Sequence, residues 1–220
     1  LYPSLEQTAA TLGNDRAVYI KLMDKLVQNW PELVADVLAP LRFPKDPYAL
    51  AKFGLKAFLS AENISRHFSG EPAKALFGGM AAHGMQTLDA PATASIALVL
   101  MLAGHTNGWP VPIGGSQSIA NALGNYFISL GGKIETGFEV RSLAQLPSSK
   151  AILFDITPKQ LLAIAGQELS AMYTWQLNRF RYGMGVFKID WALDAPIPFS
   201  APACRLAGTV HLGGVYNEIA

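Results

Sequence analysis

The stretch from Trp109 to Leu143, WPVPIGGSQSIANALGNYFISLGGKIETGFEVRSL, constrains the fold more than any other. Pro110 and Pro112 fix two backbone angles and discourage a helix upstream. Gly114 and Gly115 remove side chains at a turn, so another group can approach the backbone there. Ser116 is a candidate N-cap. Ile119, Leu123, Tyr126, Phe127 and Leu130 then recur at helical spacing and form one apolar face. Gly131 suits the left-handed residue that ends a helix. Beyond it Ile134, Thr136, Phe138 and Val140 alternate with Lys133, Glu135, Glu139 and Arg141, the pattern of a strand with one buried face.

The first hundred residues predict helices. Asn14 or Asp15 is placed to cap a helix running to Trp30, with Ile20, Met23, Leu26 and Val27 on one face. Pro31 suits the start of a second, through Leu38. Asp46 followed by Pro47 reads as cap and first turn. Ser60 caps another helix, to about Phe68, and Glu71-Pro72 opens one ending near Gly78-Gly79. The longest apolar run, Ile96 to Ala103 inside Thr93–His105, is too short to span a membrane, which needs ~20 residues. It reads as a buried helix, either lining a cavity or filling an ordinary core.

The rest reads as mixed. Ala151 to Ile156 predicts a buried strand, and Thr157-Pro158 starts a helix that Gly166 ends. Phe187, Ile189, Trp191 and Leu193 alternate with Lys188, Asp190 and Asp194 as a strand, and Arg205 to Leu212 gives another. The Pro-rich APIPFSAP between them is an open connection.

These pieces resemble a family. The order Pro-x-Gly-Gly, helix, Gly-Gly-x-Ile, strand, Val is similar to the flavin-dependent amine oxidase and phytoene desaturase superfamily, and most to its phytoene-dehydrogenase-like branch. ILFDITPKQLLAIAG (152–166), RYGMGVFKIDWALDAPIPF (181–199) and AGTVHLGGVYNEIA (207–220) carry the same resemblance. It implies an α+β fold, a fragment of an FAD-binding α/β flavoenzyme with a helical first half and a mixed sheet in the second. It implies a helical substrate cap over 1–107, part of the FAD-binding domain over 108–170 and substrate-domain strands over 171–220. It places Val140 against the adenine of FAD through the main chain, and Gly114 and Gly115 near the flavin and substrate cavity. Each has a plainer reading, as a core strand residue and a tight turn.

Two parts of the family pattern are missing. Gly183-Met-Gly185 begins a G-x-G-x-x-G turn, but Lys188 stands where the last Gly belongs. The C-terminal segment that closes over the flavin also has no counterpart. The expectation is therefore an interior piece of a longer FAD-dependent oxidoreductase, inactive alone and too incomplete to keep FAD. The parent would oxidise a C–C or C–N bond of a hydrophobic small molecule. The alternative is a non-catalytic module that binds a hydrophobic ligand or a protein.

Other chemistry is scarce. His67, His83, His105 and His211 show no metal spacing, and one cysteine builds no zinc site, so no metal is expected. His211, beside Thr209, reads as facing a substrate or as a hydrogen-bonded structural histidine. GGSQS at 114–118 misses a nucleophile elbow because Ser118 replaces the final Gly. Lys188 and Asp190 share a strand face as a solvated pair worth little. With a net charge of +1, nothing argues for nucleic acid as a partner.

Charged residues make up 15% against an average of about 25%, and mean hydropathy is +0.24. So apolar a chain either buries a great deal or presents apolar surface to a ligand, a partner or a membrane surface, and such a surface would also let it self-associate. Cys204 reads as a reduced, buried thiol, and with no spanning segment this points to the cytoplasm, or to its membrane surface.

Overall fold

The computed structural model describes residues 1–40 and 42–220. The chain separates into two compact units, Leu1–Val111 with Ile189–Ala220, and Pro112–Lys188.

The first unit is a helical cluster. It contains α1 (Leu5–Ala10), α2 (Arg16–Val37), α3 (Pro47–Ala57), α4 (Ala61–Ser65), α5 (Glu71–Ala81) and α6 (Thr93–Thr106). Two short helices follow from its second segment, α10 (Pro202–Arg205) and α11 (Tyr216–Ile219). The run Ile96–Ala103 explains the centre. α6 carries almost no polar face, so no side of it gains from water. α2, α3, α4 and α5 all pack on it, and Ala97, Leu98, Met101 and Leu102 are sealed. α11 packs on α5, where the Tyr216 ring lies against Gly78, so close that a Cβ there would sit 2.8 Å from it.

Caps set most helix starts. Asp46 accepts hydrogen bonds from the amides of Tyr48 and Ala49, with Pro47 opening α3. The Ser60 hydroxyl accepts from the Asn63 amide at 3.1 Å. α5 runs past Gly78-Gly79 to Ala81 and continues as a 3-10 turn, Ala82–Gly84.

α2 departs from expectation twice. Pro31 does not start a new helix but lies inside a single one of 22 residues. A proline within a helix costs about 3 kcal/mol, because it removes a hydrogen bond and crowds the turn before it. Here Trp30 and Leu33 are sealed in the core on either side of Pro31. Each such burial contributes roughly 1.5–3 kcal/mol, enough to hold the helix together. Asp15 occupies the N-cap position of α2, but its side chain makes no capping hydrogen bond there. Its carboxylate instead accepts from the Ser69 amide (2.8 Å), the Ser69 hydroxyl (2.9 Å) and the Gly70 amide (2.7 Å), clamping the loop before α5.

The second unit holds α7 (Ser116–Ser129), α8 (Pro158–Ala165) and α9 (Ala171–Asn178). Gly115, not Ser116, occupies the cap position of α7. The helix ends as its glycines suggested: the Gly131 amide donates to the Ile128 carbonyl and the Gly132 amide to that of Phe127, with Gly131 at φ 87°. Thr157 and Gln160 form a reciprocal capping box at α8, and α9 packs on α8. Only Ala165 is buried in this unit.

The expected α+β fold is overturned. The described residues contain helices and no strand, so the mixed sheet of the second half is absent. Two physical reasons stand out. Gly137 sits at φ 73°, in the left-handed region, and interrupts the alternation between Ile134 and Val140. Elsewhere alternation specifies a face but supplies neither a neighbouring ladder nor a layer to cover it. Leu153 remains 94% exposed and Trp191 76%. At the start of 205–212 the backbone turns helical instead, in α10.

Candidate functional site

The three residues singled out for cofactor contact all lie in the second unit. Gly114 and Gly115 form the turn into α7 at φ 86° and 78°, which side chains rarely adopt. The Gly115 amide closes the turn on the Pro112 carbonyl at 3.0 Å. A Cβ added at Gly115 would meet nothing within 4 Å, so that backbone is open to approach. The Ser118 hydroxyl donates to the Gly115 carbonyl at 2.7 Å and is thereby occupied.

Val140 lines an open groove of about 580 Å³ with Leu146, Ile152, Phe154 and Ile156. Glu139, Arg141 and Asp155 edge it. The next two amides, of Arg141 and Ser142, both donate to the Gln145 side chain, at 2.7 and 3.0 Å. The amide and carbonyl of Val140 form no hydrogen bond among the described residues. Gly114 and Gly115 do not line this groove. The glycine turn and Val140 are thus two separate features of one unit.

Two of the long-range meetings in the first unit involve histidines. Tyr19 and His105 are buried together, with the hydroxyl 2.7 Å from Nε2 and the rings edge to face. Nδ1 of His105 lies 3.4 Å from the Pro3 carbonyl. A carbonyl only accepts, so Nδ1 carries the proton and Nε2 accepts from Tyr19. Burial pulls the His105 imidazole below its ordinary range, outweighing the carbonyls of Pro3 and Tyr2. Burial likewise pushes the Tyr19 hydroxyl up.

The second place is a surface groove of about 550 Å³ beside α5, lined by Leu76, Met80, His83, Met85, His211 and Leu212 among others. The rings of His83 and His211 lie 4.8 Å apart, and Trp109 stands 6.4 Å from His211. Among the described residues neither imidazole makes a hydrogen bond, so His211 has no structural partner of that kind there. Burial, then the neighbouring His83, pulls His211 below its ordinary range. No sequence spacing announced either meeting, because each joins segments from far-apart parts of the chain.

Among the described residues no three or more of His, Cys, Asp and Glu gather as metal ligands. No described helix is long and apolar enough to cross a membrane. Cys204 is half-buried and unpaired by any disulfide, rather than sealed. No family model, curated protein or solved structure matches the chain.

Proposed function

We propose that the chain forms part of an FAD-dependent oxidoreductase that oxidises a C–C or C–N bond of a hydrophobic small molecule, as its resemblance to the phytoene-dehydrogenase-like branch implies. The observation that carries this reading is the unbonded main chain of Val140 at the wall of an open groove. A planar base seated there could draw on the unbonded amide and carbonyl of Val140, with Phe154 and Ile156 among the apolar residues lining the groove. The groove is of the size that ligands commonly occupy, ~300–1,000 Å³. The open backbone at Gly115 gives a second place for close approach. Bound FAD would supply the electron-accepting chemistry. The residues of this chain would bind and orient the nucleotide and exclude water beside it.

A second reading is favoured by α7. No residue of that helix is buried, and Ile119, Leu123, Tyr126 and Phe127 are exposed. Such a face suits a module that binds a hydrophobic ligand or a protein without catalysis.

The two readings separate in protein purified from the complete reading frame. The first expects a flavin chromophore. Val140→Ala, which keeps the amide proton, retains it. Val140→Pro, which deletes that proton, weakens FAD binding by about tenfold, the worth of one net hydrogen bond. A folded protein that neither carries nor takes up FAD contradicts the first reading and leaves the second.

A further inference from the structure

The groove beside α5 brings together residues that neither the flavin reading nor the core uses. His83 lies in the 3-10 turn after α5, and His211 in the extended segment before α11. We propose that His83 and His211 jointly bind a late first-row transition-metal ion, copper foremost, through one ring nitrogen each.

The geometry fits. A metal holds imidazole nitrogen at ~2.0–2.1 Å, with the ring centre roughly 1.2 Å further on, so two such rings at an angle of about 90–110° have centroids about 4.5–5.3 Å apart. The rings stand 4.8 Å apart. Their planes are tilted by 50°, so their in-plane lone pairs can converge on one point, which flat-stacked rings do not permit. Both rings are exposed to the same groove, and among the described residues neither has a nitrogen engaged elsewhere.

The surroundings select the ion. Imidazole nitrogen suits copper, and Met80 and Met85 in the same groove bring no donor that hard magnesium or calcium would take. No carboxylate lines it, so the oxygen donors that hard ions require are missing. Waters complete the coordination sphere.

The test is titration of the purified chain with copper(II) chloride, with magnesium chloride as the hard-ion control. One copper binds per chain, pulsed electron paramagnetic resonance detects two imidazole nitrogens, and magnesium does not compete. His83→Ala and His211→Ala each weaken copper by about tenfold or more, and the double variant loses the site. Both rings are exposed, so both variants keep the parent unfolding midpoint. Zinc chloride also shields both histidines of the unmodified chain from acylation by diethyl pyrocarbonate, a measurement that needs no variant. Copper affinity unchanged in the double variant, a single imidazole nitrogen, or no shielding by zinc overturns the proposal.

Discussion

The hydroxyl of Tyr19 donates to Nε2 of His105 across 2.7 Å, inside the core where α2 meets α6. Tyr19 is 1% exposed and His105 7%, so water cannot replace either partner. Tyr19→Phe leaves the Nε2 lone pair buried and unmet, at a cost of about 1–3 kcal/mol. Urea unfolding of Tyr19→Phe, His105→Phe and the double variant checks this. The double variant is less destabilised than the two single changes added together, because it strands no polar atom.

The same pair sets a pH response. His105 titrates below its ordinary 6.5 in the folded chain, so the unfolded chain binds the proton first as pH falls. The stability it contributes is complete above pH 6.5 and is lost as pH falls through the folded value. Asp15 repeats that sign in a lower window, beneath its ordinary 3.8. Burial alone would raise the Asp15 carboxyl, but the amides of Ser69 and Gly70, the Ser69 hydroxyl and the charge of Lys74 outweigh it. Stability followed against pH therefore falls in two stages, and Tyr19→Phe/His105→Phe loses the His105 contribution to the first.

Asp15→Asn tests the clamp separately. Its amide oxygen can keep the two hydrogen bonds from Ser69 but turns a donor toward the Gly70 amide. The expected loss is about 2 kcal/mol, as for hydrogen bonds to a charged group. The stability change below pH 3.8 weakens with it.

Core and surface leucines separate sharply. Leu98→Ala in α6 empties sealed volume and costs about 2–5 kcal/mol. Leu123→Ala in α7 removes a side chain that is 65% exposed and changes stability by less than about 0.5 kcal/mol. Thermal melts of the two variants make the comparison.

Gly78→Ala drives a methyl into the Tyr216 ring and displaces α11, whose Tyr216 amide otherwise donates to Glu71 at 3.1 Å. Brief proteolysis then trims the segment from Val215 onward faster than in the parent, while α5 and α6 remain protected.

Local chemistry made several elements legible in the sequence. Asp46-Pro47, Ser60, Thr157-Pro158 and Gly131 mark their helix ends because a cap depends on neighbours within a few residues. The apolar run in α6 was legible as burial. Pro31 misled, because the force that carries α2 through it comes from Trp30 and Leu33 packing at a distance. The strands misled for a related reason: alternation at 134–140 and 187–193 names a face, but pairing needs partners that no window of sequence contains. Gly114, Gly115 and Val140 were singled out through a resemblance, and the proximity of His83 and His211 is visible only in three dimensions.

The flavin reading rests on the Val140 amide, which hydrogen exchange reads directly. In the apoprotein of the complete reading frame that proton exchanges quickly, as an unbonded amide does, and saturating FAD slows it while the amides of α9 keep their rates. Rapid exchange at Val140 in the FAD-saturated protein would contradict the assignment of this groove to the nucleotide.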